Sequence, residues 1–289
     1  MDFVVTLLAD SKKMPLTEAF VQSMVLSLAS QDVVVQKTEW RAENIACDLY
    51  AQYSTLSTLN SMTRQILADQ PYDGIVQEVA KRHKKLLISD MDSTMITVEC
   101  IDELADFVGK KAEVSRITER AMNGELNFEE ALTERVALLV GLPEEALQEC
   151  YDERVKMMPG AKELLNSFKK KGGHAVLVSG GFTFFTSRVS ANLGFDADYA
   201  NILEVADGKL TGKVTLPILG KEAKLNTLQE YCKKLDISTD EVLAIGDGAN
   251  DLPMLMAAGL GVAYHAKPVV RAQANAQLNH CDLSVLQWL

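Results

Sequence analysis

The sequence predicts an α/β protein: a small α+β module followed by a mostly parallel sheet that carries a helical insertion. Residues 1 to about 80 read in the order βαββαβ, a helix-on-sheet sandwich that could fold alone. From Leu86 onward, nearly all-apolar strand segments alternate with helical ones, as strands covered on both faces require. Between the first of those strands and the helix opening at Pro159 lie roughly 60 residues of almost wholly helical pattern, far beyond the dozen or so that a crossover needs. That surplus reads as a cap inserted over the strand ends.

In the first module, "FVVTLLA" reads as a strand and "PLTEAFVQSMVLSLAS" as an amphipathic helix. "DVVVQKTEW" and "IACDLYAQY" follow as strands, "STLNSMTRQILADQ" as a helix and "YDGIVQEVA" as a last strand. The basic run "KRHKK", Lys81 to Lys85, reads as a linker of solvated charge. The strands of the second domain are "LLIS", "HAVLVS" and "VLAIG". Helices fall at about 159–171, 182–193, 221–235 and 251–258, the first with Pro159 at its start and Gly172-Gly173 past its end. The cap includes "NFEEALTERVALLVGL" and "PEEALQECYDERV". "ANILEVADGKLTGKVTL" alternates apolar residues about Asp207-Gly208 and reads as a β-hairpin. The implied boundaries are 1–81 and 82–289, with the cap at about 100–157.

At 289 residues the chain can bury a real core in one large domain or two smaller ones, and 47% hydrophobic with 24% charged residues is ordinary globular composition. A net charge of −11 would be repelled by nucleic acid and by an anionic membrane, so neither is expected as a partner. A small anionic substrate is compatible if a metal or a few cations meet it. No run approaches a membrane span and the N-terminus has no signal-peptide pattern, so a cytoplasmic location is expected. Cys47, Cys100, Cys150, Cys232 and Cys281 are scattered without a C-x-x-C pair and read as buried, reduced thiols. The histidines, His83, His174, His265 and His280, lack an R-H-G pattern, and there is no G-x-x-x-x-G-K-[ST] loop, which counts against phosphohistidine and P-loop chemistry.

In open α/β sheets, ligands bind at the carboxyl ends of the strands. Three strands end in polar groups: "LLISDMDST" supplies Asp90 and Asp92, "HAVLVSGG" supplies Ser179, and "VLAIGDGANDLPM" supplies Asp247, Asn250 and Asp251. Four aspartates at one rim would raise one another's pKa values, a conflict that a hard divalent cation such as Mg²⁺ resolves. Phosphoryl transfer needs an in-line nucleophile, a proton donor and positive charge on the equatorial oxygens, and Asp90 with Asp92 fits the first two. Taken singly, D-x-D is commonly a turn or a helix N-cap, S-G-G a turn, and G-D-G-A-N-D a Gly-rich loop. Their joint occurrence at three strand ends is what carries weight.

"DMDST", "SGG", Lys224 and "GDGANDLPM" resemble the four motifs of the haloacid dehalogenase-like phosphatase superfamily over about residues 86–289. "TVECIDELAD" and "RAMNGELNFEEALTERVALLVGL" are similar to the cap of its phosphoserine phosphatase family. The resemblance implies a Rossmann-like sheet with a helical cap and a Mg²⁺-dependent enzyme of serine biosynthesis, acting in its last step. O-phosphoserine would be hydrolysed through an aspartyl-phosphate. It implies Asp90 as nucleophile and Asp92 as general acid and base. Mg²⁺ would be held by the Asp90 carboxylate, the Asp92 backbone carbonyl and Asp247, with Asp251 orienting metal-bound water. Ser179, the Gly180 backbone and Lys224 would hold the phosphoryl oxygens, with Asn250 nearby. Glu99 would bind the substrate ammonium, Arg135 its carboxylate, and Met122 and Phe128 would exclude water. By residue pattern alone Lys221, one helical turn before Lys224, could take its place. Without the family, Glu99 and Arg135 would read as surface residues of the cap.

The N-terminal module resembles, more loosely, ACT-type domains, which implies an amino-acid ligand or pairing of subunits into a homodimer. Two alternatives stand beside the leading one. The core motifs fit a sibling phosphatase or phosphotransferase acting on another small phosphate equally well. An amino-acid-sensing regulatory protein could also use this scaffold, though it would have no need of the full motif set.

Overall fold

The computed structural model describes residues 1–289. Strands β1 (Asp2–Leu8), β2 (Val34–Ala42), β3 (Ala46–Gln52) and β4 (Asp73–Glu78) form an antiparallel sheet in the order β2-β3-β1-β4, and helices α1 (Glu18–Ala29) and α2 (Leu56–Leu67) cover one face. Thr17 and Thr55 start these helices, each accepting a backbone N–H three residues on, which satisfies one of the donors that a helix start leaves free. Phe3, Val5, Leu7 and Leu49 meet Val21, Met24, Leu28 and Leu59 in a core of the module's own. At roughly 1.5–3 kcal/mol per buried side chain, this is the main force holding the module together.

The second sheet holds β5 (Leu86–Ser89), β6 (His174–Phe182), β7 (Ala197–Asn201), β10 (Val242–Gly246), β11 (Leu260–Tyr264) and β12 (Ala276–Leu278), all parallel, in the order β12-β11-β10-β5-β6-β7. Successive side chains of β5 serve opposite layers: Leu87 joins the core shared with the cap, while Leu86 and Ile88 pack with Leu228, Tyr231 and Met254. The cap comprises α3 (Cys100–Asp106), α4 (Lys111–Met122), α5 (Phe128–Ala137) and α6 (Glu145–Arg154). Helices α7 (Ala161–Lys170), α8 (Thr183–Leu193), α9 (Lys221–Leu235), α10 (Leu252–Ala257) and the short α11 (Pro268–Arg271) complete the chain. The expected hairpin forms as β8 (Leu203–Ala206) and β9 (Lys209–Val214), turning through left-handed Asp207 and Gly208. It braces the cap, with reciprocal N–H bonds linking the Gly141-Leu142 segment to Leu210.

The parallel sheet is wider than the three strands legible in the sequence. β7 carries Asp198 and Asn201, β11 follows α10 almost without a break, and β12 has three residues, so none offers the long bounded apolar run that marks a strand. All five cysteines are buried and unpaired, as expected.

The linker corrects the reading of solvated charge. Arg82 forms a two-pronged pair with buried Asp48, at 2.6 and 3.0 Å, and donates to the Trp288 carbonyl; Lys84 donates to the Lys81 and Asp240 carbonyls. The reason is proximity: the open face of the first sheet lies on the second domain, with Leu8, Ala46 and Ile75 joining the larger core. The Asp73 carboxylate accepts backbone N–H bonds from Asn279, His280 and Cys281 at 2.7 to 3.0 Å, and Arg64 donates to the Ala274 and Asn275 carbonyls.

Candidate active site

Three central strands deliver their last residues to one rim. β5 ends in a turn in which the Met91 carbonyl collects N–H bonds from Thr94, Met95 and Ile96, with Ser93 in the left-handed region. That turn lifts Asp90 and Asp92 off the sheet. Asp92 accepts from the Cys100 N–H at 2.9 Å, tying the loop to the first turn of the cap, and from Ser179 Oγ at 3.4 Å. Ser179 is held in turn by the Gly181 N–H, and Asn201 from β7 fixes the Gly180 carbonyl. A Cβ at Gly180 would lie 2.4 Å from the Phe128 ring, so a side chain there would displace that ring.

Lys224, from α9, is only 1% exposed and reaches both Asp90 Oδ1 and Asp251 Oδ1 at 2.6 Å. Lys221 is exposed, so of the two lysines it is Lys224 that lies at this rim. Asp251 also takes the N–H groups of Asp247 and Gly248. Thr94 donates to Asp247 at 3.3 Å.

Charge here is unbalanced. Asp90, Asp92, Asp247, Asp251 and Glu99 gather around Lys224 and Arg135 as the cations. Desolvation, then repulsion from Asp251, pushes Asp90 up to about 7 against the pull of Lys224. Desolvation and Asp90 raise Asp92 to about 6, and desolvation and Asp92 raise Glu99 to about 7. Asp247 is driven well above the carboxylate range by burial and by Glu99, Asp251 and Asp90. Burial alone would lower Lys224, yet Asp251 and Asp90 outweigh it and hold the ammonium charged. Carboxylate oxygens of Asp90, Asp247 and Asp251 lie within 4.8 Å of one another. A buried all-oxygen set with excess negative charge fits a hard divalent cation. The Asp92 side chain lies outside that set.

The cap supplies the roof. Asn127 caps α5 by accepting the Glu130 N–H and so fixes the helix that carries Phe128 and Arg135. Arg135 is 3% exposed and donates to the Ala131 carbonyl and to Thr118 Oγ1, with no carboxylate directly against it. Glu99, just before α3, accepts from Ser93 Oγ at 2.6 Å. Asp90, Asp92, Ser179, Gly180 and Asn250 from the sheet side and Glu99, Met122, Phe128 and Arg135 from the cap line one small cavity of about 20 Å³. Lys224, Asp247 and Asp251 lie beneath it. Ile101, Leu132, Gly181 and Phe182 complete the lining. Sequence reasoning passed over these four, together with Thr94, Thr118 and Asn201. "DMDST" contains Thr94, and a second hydroxyl two residues after Asp92 was signal enough to include it.

A six-stranded parallel sheet with this rim of carboxylates under a helical cap is shared with known proteins. Residues 87–256 match the family model of the haloacid dehalogenase-like hydrolases, and the chain belongs to that class. The chain is 50% identical to a phosphoserine phosphatase of Polaromonas sp. over 207 residues, 70% of this chain and 88% of the relative. It is 46% identical to one of Idiomarina loihiensis over 203 residues, 70% and 92% of the two chains. Within its class, then, the chain is a member of the phosphoserine phosphatase family. Among solved structures, a HAD-family hydrolase of Salmonella enterica superposes with a TM-score of 0.86 at 30% identity, covering 100% of this chain and 98% of that one. A phosphoserine phosphatase solved as a phospho-aspartyl intermediate analogue gives 0.67 at 40% identity, covering 70% and 96%.

Proposed function

We propose that this phosphatase hydrolyses O-phosphoserine to serine and inorganic phosphate in the cytoplasm, as the last step of serine biosynthesis. The observation that carries the reading is the pairing, in one cavity, of a carboxylate and lysine floor with a roof in which buried Arg135 has no carboxylate partner and Glu99 stands near it. The floor suits a phosphoryl group. The roof suits the carboxylate and ammonium of an amino acid.

In this reading Asp90 attacks phosphorus as its carboxylate, and the P–O bond to serine breaks as an aspartyl-phosphate forms. Asp92 gives its proton to the departing serine oxygen. A pKa raised to about 6 suits that role, since the group can hold a proton and release it near neutral pH. Water then attacks phosphorus, Asp92 takes its proton, and phosphate leaves with the Asp90 carboxylate restored. Ser179, the Gly180 N–H, Lys224 and Asn250 hold the phosphoryl oxygens, while Met122 and Phe128 keep bulk water from the intermediate. Asp90, the Asp92 carbonyl and Asp247 would hold Mg²⁺, with Asp251 outside them. When bound, the ion neutralises charge on the phosphoryl oxygens and permits several acidic side chains to remain ionised together.

We further assign residues 1–81 as an ACT-like module and 82–289 as the phosphatase domain. What supports this is the separate core and βαββαβ order of the first 81 residues. An amino-acid ligand or a homodimer would be its contribution. Light scattering with and without serine tests that part. The decisive assay for the whole reading is turnover of phosphoserine in chelator and after Mg²⁺ is restored; absence of turnover in both would overturn it.

A further inference from the structure

Three cap helices meet at one hydroxyl. Thr118 on α4 is 3% exposed, and its Oγ1 lies 2.6 Å from Asp102 Oδ1 on α3 and accepts from Arg135 Nη1 on α5 at 3.0 Å. A carboxylate only accepts and a guanidinium only donates, so the polarity of this chain is fixed. The hydroxyl proton points to Asp102, with the Val114 carbonyl at 3.1 Å as its other acceptor, and a lone pair points to Arg135. Arg135 Nε is held separately by the Ala131 carbonyl, so two of its three nitrogens are anchored within the cap.

We propose that Thr118 is a positioning residue for substrate selection: it keeps Arg135 in the cavity and prevents it from pairing directly with Asp102. This rests on the assignment of Arg135 to the substrate carboxylate. Asp102 is close enough to favour the charged guanidinium, and a direct ion pair with it would offer that charge the same partner that the substrate offers. The interposed hydroxyl lets Asp102 fix the orientation while the fork stays available to a ligand. A neutral bridge between two ions also strengthens both hydrogen bonds. Nothing in the motif pattern marks Thr118, because its role exists only once α3, α4 and α5 are assembled.

The test compares phosphoserine with phosphoethanolamine, which has the ammonium and phosphate but no carboxylate. In Thr118→Val, KM for phosphoserine should rise about tenfold, the loss of one well-placed hydrogen bond, while kcat changes far less. KM for phosphoethanolamine should move less than about twofold, and Thr118→Ser, which keeps the hydroxyl, should stay near wild type for both. Adding Asp102→Asn to Thr118→Val should recover much of the lost affinity, because the competing carboxylate is gone. Should the valine variant fail to fold in a urea titration, Thr118→Ala carries the same comparison. An unchanged KM for phosphoserine in the hydroxyl-free variants, an equal rise for both substrates, or no recovery with Asp102→Asn would each overturn the proposal while leaving the phosphoserine reading intact. A wild-type enzyme with no preference for phosphoserine over phosphoethanolamine would overturn that reading first, and this one with it.

Discussion

On the floor of the cavity Lys224 lies between Asp90 and Asp251 at 2.6 Å each, and Asp251 takes two further backbone N–H bonds; in the roof, buried Arg135 meets only a carbonyl and a hydroxyl. The floor's one cation is fully paired within the protein and its excess charge is negative, whereas the roof leaves a positive charge unspent. Chemistry common to a whole class needs preorganised groups that do not move when the substrate changes. Recognition of one substrate needs groups whose best partner is the substrate itself, and such groups cost stability until it arrives. The two regions therefore answer differently to mutation.

The largest effect belongs to the floor. Asp90→Asn should reduce turnover of every phosphomonoester to below about one-thousandth and abolish trapping of covalent phosphate, as loss of a nucleophile does. Retained turnover would break the comparison at its base. Arg135→Ala comes next: about 2–4 kcal/mol, or roughly 30- to 1,000-fold in kcat/KM for phosphoserine, with a far smaller loss for p-nitrophenyl phosphate. Equal losses on both would make Arg135 a structural residue of the cap. Glu99→Gln should discriminate in the same sense, weakening substrates that carry an ammonium more than those that lack one.

Effects away from the cavity are smaller. Arg82→Ala leaves buried Asp48 with Thr6 as its hydrogen-bond donor and Arg41 at 3.7 Å, and should cost about 1–3 kcal/mol in urea denaturation with little change in KM. A matching loss in KM would show that the first module shapes the site. A fragment starting at Arg82 should still hydrolyse phosphoserine, at reduced stability, because it retains every floor and roof residue. A separate effect is one of pH. Asp90, Asp92 and Glu99 have folded pKa values raised to about 7, 6 and 7, so the folded, metal-free protein binds more protons than the unfolded chain between about pH 4 and 7. Its stability must fall as pH rises through that window. The melting temperature of chelated protein should drop by a few degrees from pH 5.5 to 7.5, and Mg²⁺ should largely remove the slope. A slope of opposite sign would place ionised, well-paired carboxylates in the metal-free site.

Legibility in the sequence divides along the same line. Floor residues stand at the ends of apolar strand runs or in compact motifs, where one-dimensional spacing reports three-dimensional convergence, and Asp90, Ser179 and Asp247 were readable for that reason. Roof residues came only from family likeness, because Arg135 sits among the charged residues of an amphipathic helix and Glu99 just ahead of another. The Asp102–Thr118 contact and the Asn201 clamp on Gly180 join residues 16 and 21 apart through tertiary packing, with no local pattern to announce them. Arg82 and Lys84 were misread for a related reason: a basic run looks the same whether water or a second domain surrounds it.

The distance along the chain between the floor's parts has a consequence for synthesis. Thr94 and its partner Asp247 are 153 residues apart, an interval on the order of ten seconds at the pace of translation. For the later part of that time the cap helices have left the ribosome, while β5, four apolar or small residues buried in the finished sheet, can have β6 on one side but not yet β10 on the other. The nascent protein thus holds every residue of the roof before the floor can be completed, and one edge of β5 waits for residues 242–246 to emerge.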